Sequence, residues 1–92
     1  MGNRISIVMP TRNRASLLRR ALVGVQDQTV WDTEIVVVDD ASTDGTLAML
    51  ASEFPHVKVV RHRFSRGPSA ARNSGVAATT GDWIFFHDDD DL

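Results

Sequence analysis

Four short apolar runs, each closed by proline or by polar residues, alternate along this chain with three segments long enough to be helices. The runs are Ile5 to Met9 (ISIVM), Glu34 to Val38 (EIVVV), His56 to His62 (HVKVVRH) and Trp83 to His87 (WIFFH). Each is of strand length, ISIVM, EIVVV and the apolar IFF of the last run read as buried strands, and Pro10 and the DDASTDGT segment mark two of the stops. Between the first two runs, ASLLRRALVGVQDQ places Leu17, Leu18, Ala21, Leu22 and Val25 on one helical face and Arg19 and Arg20 on the other. A second helix is predicted from about Thr46, with Leu47, Leu50, Ala51 and Phe54 inward and Pro55 as its end. A third, SAARNSGVAATT, has an inward stripe of Ala71, Gly75 and Ala78 that would let it approach a sheet closely, with Gly81 as the stop. The resulting β-α-β-α-β-α-β alternation implies a parallel sheet with right-handed crossovers and helices on its faces.

Ninety-two residues allow one small domain with a thin core, or part of a larger one. A formal net charge of −2 argues against a general nucleic-acid binder, and the lack of cysteine removes disulfides and thiolate metal sites. No apolar run approaches the roughly 18 residues needed to span a bilayer. Met1-Gly2-Asn3-Arg4-Ile5-Ser6 matches a myristoylation pattern, but the residues that follow read as a core strand, an awkward place for a lipid anchor.

In an open parallel sheet, ligands bind outside the carboxyl ends of the strands. Here strand one delivers Pro10-Thr11-Arg12-Asn13-Arg14, strand two Asp39-Asp40, and strand four the run Asp88 to Asp91. Like charges about 6 Å apart repel by roughly 3 kcal/mol at an effective dielectric near 20, so a carboxylate cluster at a sheet mouth calls for protons or a cation. In an extended segment Asp88 and Asp90 face one site, while Asp89 and Asp91 face away or begin a turn. Such a pair suits Mg²⁺, which takes one or two carboxylates plus phosphate oxygens; a solvated acidic end is the alternative. Asp39 and Asp40 are placed to accept hydrogen bonds from a ribose or a base, whereas Ser42, Thr43, Asp44 and Gly45 read as turn and cap chemistry.

Other sites are excluded by specific residues. A calcium loop beginning at Asp40 has Ala51 where the bidentate glutamate belongs, and follows a strand rather than a helix. Neither a G-x-G-x-x-G turn nor a P-loop is present. A phosphoacceptor site would need a lysine, and Lys58, the only one, lies inside a strand. The cluster Arg61, His62, Arg63 and Arg66 suits either phosphate or solvent. His87 is a weaker ligand candidate than a simple strand residue.

Three ordered segments, ISIVMPTRNR, EIVVVDDASTDGT and GPSAARNSGVAATTGDWIFFHDDDDL, resemble the nucleotide-binding half of GT-A fold glycosyltransferases, specifically family 2, over nearly the whole chain. The resemblance implies a three-layer α/β/α, Rossmann-like half-domain. Strand one, apolar on both sides, is expected at the centre of a mainly parallel sheet in the order 3-2-1-4. It also implies that Pro10 and Thr11 lie against the nucleoside and that one of Asp39 and Asp40 accepts a base N–H. Asp88-Asp89-Asp90 resembles the family's D-x-D motif, with Asp90 on Mg²⁺ or Mn²⁺ and Asp88 on ribose or metal. Arg12, Arg72 and Asp89 join the nucleotide-binding set. His87, at a usually apolar position, and the Arg61 to Arg66 loop depart from the family pattern.

The implied function is inverting transfer of a sugar from a nucleotide-diphosphate donor to a saccharide, lipid or protein acceptor. UDP is the expected nucleotide, with GDP and dTDP as alternatives. Residues 1–92 are read as the N-terminal donor-binding part, ending just after D-x-D. The catalytic base is expected outside the chain, which alone would be inactive. The rival reading is a non-catalytic nucleotide-binding module or an inactive fragment. The expected location is the cytoplasm or the cytoplasmic face of a membrane, reached through other regions.

Overall fold

The computed structural model describes residues 4–28 and 32–89. Its elements run β1 (Ile5–Thr11), α1 (Ala15–Gln28), β2 (Thr33–Asp40), α2 (Thr46–Glu53), β3 (Lys58–His62), α3 (Pro68–Ala77) and β4 (Trp83–Phe86). The four strands form one sheet in the order β3-β2-β1-β4, every pair parallel. The expected order and alternation are therefore present.

The two sheet faces follow the period-2 pattern of the strands. Met9, Ile35 and Val37 face α1 and α2, meeting Leu18, Ala21, Leu22, Val25 and Leu50 together with Phe54 and Val57. Val8, Val36 and Val38 face the other way, against Ala71 of α3. Burying each large aliphatic side chain contributes about 1.5–3 kcal/mol, so α1, with Leu18 and Leu22 fully covered, is the best-anchored helix. The small-residue stripe does what its composition suggests. A Cβ on Gly75 would lie 2.3 Å from Val8 Cγ1 and 3.1 Å from Val38 Cγ2, a contact only glycine permits. Among the described residues no helix is long and apolar enough to cross a membrane.

Three local expectations are corrected. Strand β1 does not stop at Pro10 but runs through it to Thr11. The Arg4 and Val8 carbonyls accept from the β4 side, and the Ile5 N–H donates to the β2 side. Backbone direction alternates, so the donor that Pro10 lacks would point toward β4, beyond the last β1–β4 pair, Val8 with Phe86. The helix predicted through Thr80 ends at Ala77, and Gly81 instead marks where the chain passes β1. A Cβ there would lie 2.3 Å from Ser6 Oγ, which accepts the Gly81 N–H. Finally, β4 is not a buried strand: Trp83, Ile84, Phe85 and Phe86 are 57%, 38%, 54% and 50% exposed. Among the described residues it is an edge strand, paired with β1, while α3 packs on β1, β2 and β3. An apolar run alone does not distinguish a central strand from an edge.

Candidate nucleotide-sugar site

The carboxyl ends of β1, β2 and β4 and the start of α3 enclose an open cavity of about 660 Å³. It is lined by residues 10–14 after β1, by Asp40, by Ser65, Gly67, Pro68, Ala71 and Arg72, and by Asp88 and Asp89. The topology explains the gathering. In a parallel sheet all strands end on the same side, so residues far apart in sequence meet there.

The two adjacent carboxylates that follow β4 differ in role. Asp89 is buried; its Oδ2 accepts the Thr11 hydroxyl at 2.8 Å and its Oδ1 meets Arg14 Nη1 at 3.1 Å. Of the two alternatives for Asp89, facing away or beginning a turn, the structure has the turn, and it carries the carboxylate inward. The strand ends at Phe86, with His87 N–H still donating to the Val8 carbonyl, and the chain then turns, so strand alternation no longer governs residues 88 and 89. Asp88 is exposed, with a 3.5 Å contact to Arg72. His87 Nδ1 is turned to the Asp88 carbonyl at 2.9 Å. Asp90, the expected metal ligand, and Asp91 lie outside the described residues.

At the end of β2 the paired aspartates also diverge. Asp39 is fully buried; its Oδ2 accepts the Ser42 N–H at 3.2 Å, and its Oδ1 has no hydrogen-bond partner among the described residues. Asp40, though it lines the cavity, is occupied by its own chain. Its Oδ1 accepts from His62 Nδ1 and from the Arg66 N–H, both at 2.8 Å. Its Oδ2 accepts from Ser65 Oγ at 2.9 Å and the Gly67 N–H at 3.1 Å. A carboxylate has about four lone-pair sites, and here all are used. Burial opposes its charge, but the Arg66 amide, His62, Ser65 and the Gly67 amide outweigh that and hold the carboxyl well below its usual range.

Sequence reasoning grouped His62 with the loop arginines. The structure separates them: His62 is buried and bonded to Asp40, while Arg61, Arg63 and Arg66 are exposed. Asn13, which the sequence placed at the sheet mouth without a role, sits at φ 53 and laces two loops together. Its N–H donates to Ser42 Oγ at 2.8 Å, and its Oδ1 accepts the Thr43 and Asp44 N–H groups at 2.7 and 3.2 Å. The signal was an asparagine just after a strand, a residue tolerant of the left-handed region. Asp44, read as structural, accepts from the Thr46 N–H at 3.0 Å and the Ala15 N–H at 3.3 Å. Arg12 is exposed on the cavity rim.

A 3-2-1-4 parallel sheet with this cavity at its carboxyl edge is the architecture of GT-A glycosyltransferases. The chain is similar to the mannosyltransferase PcManGT from Pyrobaculum calidifontis, solved with GDP-Man and Mn²⁺, at TM-score 0.88 and 31% identity, over 100% of this chain and 29% of that one. It is also similar to residues 1–349 of S. aureus TarS, solved with UDP-GlcNAc, at TM-score 0.86 and 29% identity, over 95% of this chain and 26% of that one. Among characterised sequences, it is 34% identical over 92 residues to the GalNAc(5)-diNAcBac-PP-undecaprenol beta-1,3-glucosyltransferase of Campylobacter jejuni, covering 96% of this chain. It is 38% identical over 88 residues to the succinoglycan biosynthesis protein ExoO of Rhizobium meliloti, covering 95% of this chain. The chain spans 30% and 25% of the lengths of these two relatives. The glycosyl transferase family 2 model matches residues 6–92, and the chain belongs to that family.

Proposed function

We propose that residues 1–92 form the donor-binding part of a family 2 glycosyltransferase that transfers a sugar from a nucleoside diphosphate, with UDP as the nucleotide. The observation that carries this reading is the cavity, where the exposed Asp88 carboxylate, Arg12, Arg72 and the amino end of α3 converge at the sheet's carboxyl edge. The similar structures with GDP-Man and UDP-GlcNAc support a nucleotide-sugar donor. Pro10 and Thr11 lie against the nucleoside, and Asp39, buried next to the cavity-lining Asp40 with its Oδ1 unpartnered among the described residues, is the acceptor for a base N–H. Arg12 and Arg72 supply positive charge for the phosphates.

Asp88 fits a divalent cation: its carboxylate lines the cavity, is exposed, and among the described residues makes one long contact, to Arg72, so acceptor positions remain. Mg²⁺ or Mn²⁺ would be held by Asp88 with Asp90, and when bound supplies positive charge that stabilises the departing diphosphate. Asp89 is the poorer ligand, because both its oxygens are engaged. In the transfer, an acceptor hydroxyl oxygen bonds to the anomeric carbon as the bond to the diphosphate oxygen breaks, inverting that carbon. The hydroxyl proton passes to a base supplied by chain other than these residues. The exposed apolar β4 edge supports a domain that continues into further structure.

Calorimetric titration with UDP, GDP and dTDP, with and without Mn²⁺, tests the reading. The expected result is metal-dependent binding with UDP preferred. Equal weak binding of all three would remove Asp39 from base selection, and no binding of any would remove the donor site.

A further inference from the structure

His62 joins three elements that the sequence leaves far apart. Its ring lies buried between β2 and α3, with Nδ1 2.8 Å from Asp40 Oδ1 and Nε2 2.8 Å from Ser74 Oγ. An ionised carboxylate cannot donate, so the proton of the Asp40 contact is on Nδ1, and in the neutral ring Nε2 accepts from the Ser74 hydroxyl. Ser74 belongs to α3, so the imidazole ties the end of β2 to the helix whose first turn walls the cavity.

Asp40 in turn holds the turn that leads into that helix. The N–H groups of Arg66 and Gly67 and the hydroxyl of Ser65 all end on its two oxygens. Gly67 sits at φ 91, in the left-handed region, directly before Pro68 begins α3. Ser65, Gly67 and Pro68 all line the cavity. If the carboxylate rotated, two amides and a hydroxyl would lose their partner together, and the wall they form would lose its shape. The ring is what prevents that rotation, because it is itself fixed at both nitrogens.

We propose that His62 is a positioning residue of the donor site, which locks Asp40 against Ser74 and thereby fixes the Ser65–Gly67 turn that walls the cavity. This rests on the donor-site reading above and adds to it a division of labour. Asp40, which lines the cavity, is committed to the loop by the histidine, while the fully buried Asp39 keeps one oxygen without a partner among the described residues.

The test compares His62→Leu with His62→Asn, reading both amide hydrogen exchange and the affinity for UDP with Mn²⁺. Asparagine places its amide nitrogen near the position of Nδ1, so it retains the bond to Asp40 and loses only the one to Ser74; leucine loses both. In the leucine variant, exchange at Arg66 and Gly67 should quicken by about tenfold and UDP affinity fall by about tenfold, with the Val8 and Val37 amides unchanged. In the asparagine variant, which keeps only the Asp40 bond, exchange at the same two amides should quicken by about threefold and UDP affinity fall by about threefold. Should the leucine variant not fold, Ser74→Ala frees the ring while leaving the Asp40 contact, and should loosen the same two amides and weaken UDP by about threefold. Unchanged Arg66 and Gly67 exchange in folded variants that lack the bonds would overturn the lock, as would equal losses from leucine and asparagine. Parent protein that binds no nucleotide would instead overturn the donor site, and the exchange data would still show whether His62 holds the turn.

Discussion

Thr11 donates its hydroxyl to Asp89 across 78 positions of sequence, joining the ends of β1 and β4 through a buried bond of 2.8 Å. Thr11→Val keeps the side-chain shape but leaves the Asp89 carboxylate, among the described residues, with Arg14 as its partner. Stability should fall by about 1–3 kcal/mol, because a buried charged acceptor loses a partner. Urea denaturation with an unchanged m-value would measure this; an unchanged midpoint would show that water replaces the hydroxyl freely.

Asp88 and Asp89 should separate cleanly on substitution. Asp88→Asn, at an exposed position, should leave stability within about 0.5 kcal/mol while lowering Mn²⁺-dependent UDP affinity by at least about tenfold. Asp89→Asn should act chiefly on stability. Asp90→Asn should also abolish the metal-dependent part of binding, and Asp91→Asn should do much less. Calorimetry with and without Mn²⁺ decides, and a carboxylate run that tolerates all four changes would be a solvated acidic end.

Gly75→Ala should cost about 1–3 kcal/mol through overpacking, since the added carbon meets the side chains of Val8 and Val38. Pairing it with Val8→Ala should recover part of the loss. A double-mutant cycle on denaturation midpoints gives the coupling, and strictly additive effects would mean that α3 shifts instead of clashing.

Acid should destabilise the fold through Asp40. Its folded pKa lies below the ordinary 3.8, so the unfolded state binds the proton more readily. The contribution is complete above the unfolded value and is lost as pH falls from about 5 through 4 toward the folded value. Glu34 adds the same sign below its ordinary 4.5, where burial is outweighed by hydrogen bonds from Thr80 and Ser6 and by Lys58. Asp40→Asn should lower stability at pH 7 by about 2–4 kcal/mol and flatten this acid limb. An equally steep limb in the variant would place the acid sensitivity elsewhere.

The sequence by itself determined the elements and their order. The helix periodicity of Leu18, Ala21, Leu22 and Val25, the β-branched runs and the small stripe of Ala71 and Gly75 are local patterns, and each has one packed solution. Motif residues also located the cavity, because parallel strands must end together. What only the tertiary structure decided was the task of each polar atom there. Asp39 and Asp40 are adjacent and chemically identical, yet one oxygen of the first has no partner among the described residues and all of the second is consumed by His62 and a turn 25 to 27 residues away. The exposure of β4, the inward turn of Asp89 and the burial of His62 were hidden for the same reason. Residue type and spacing fix what a side chain is able to bond, but the partners come from other strands and loops, and only their packing settles which bonds are made.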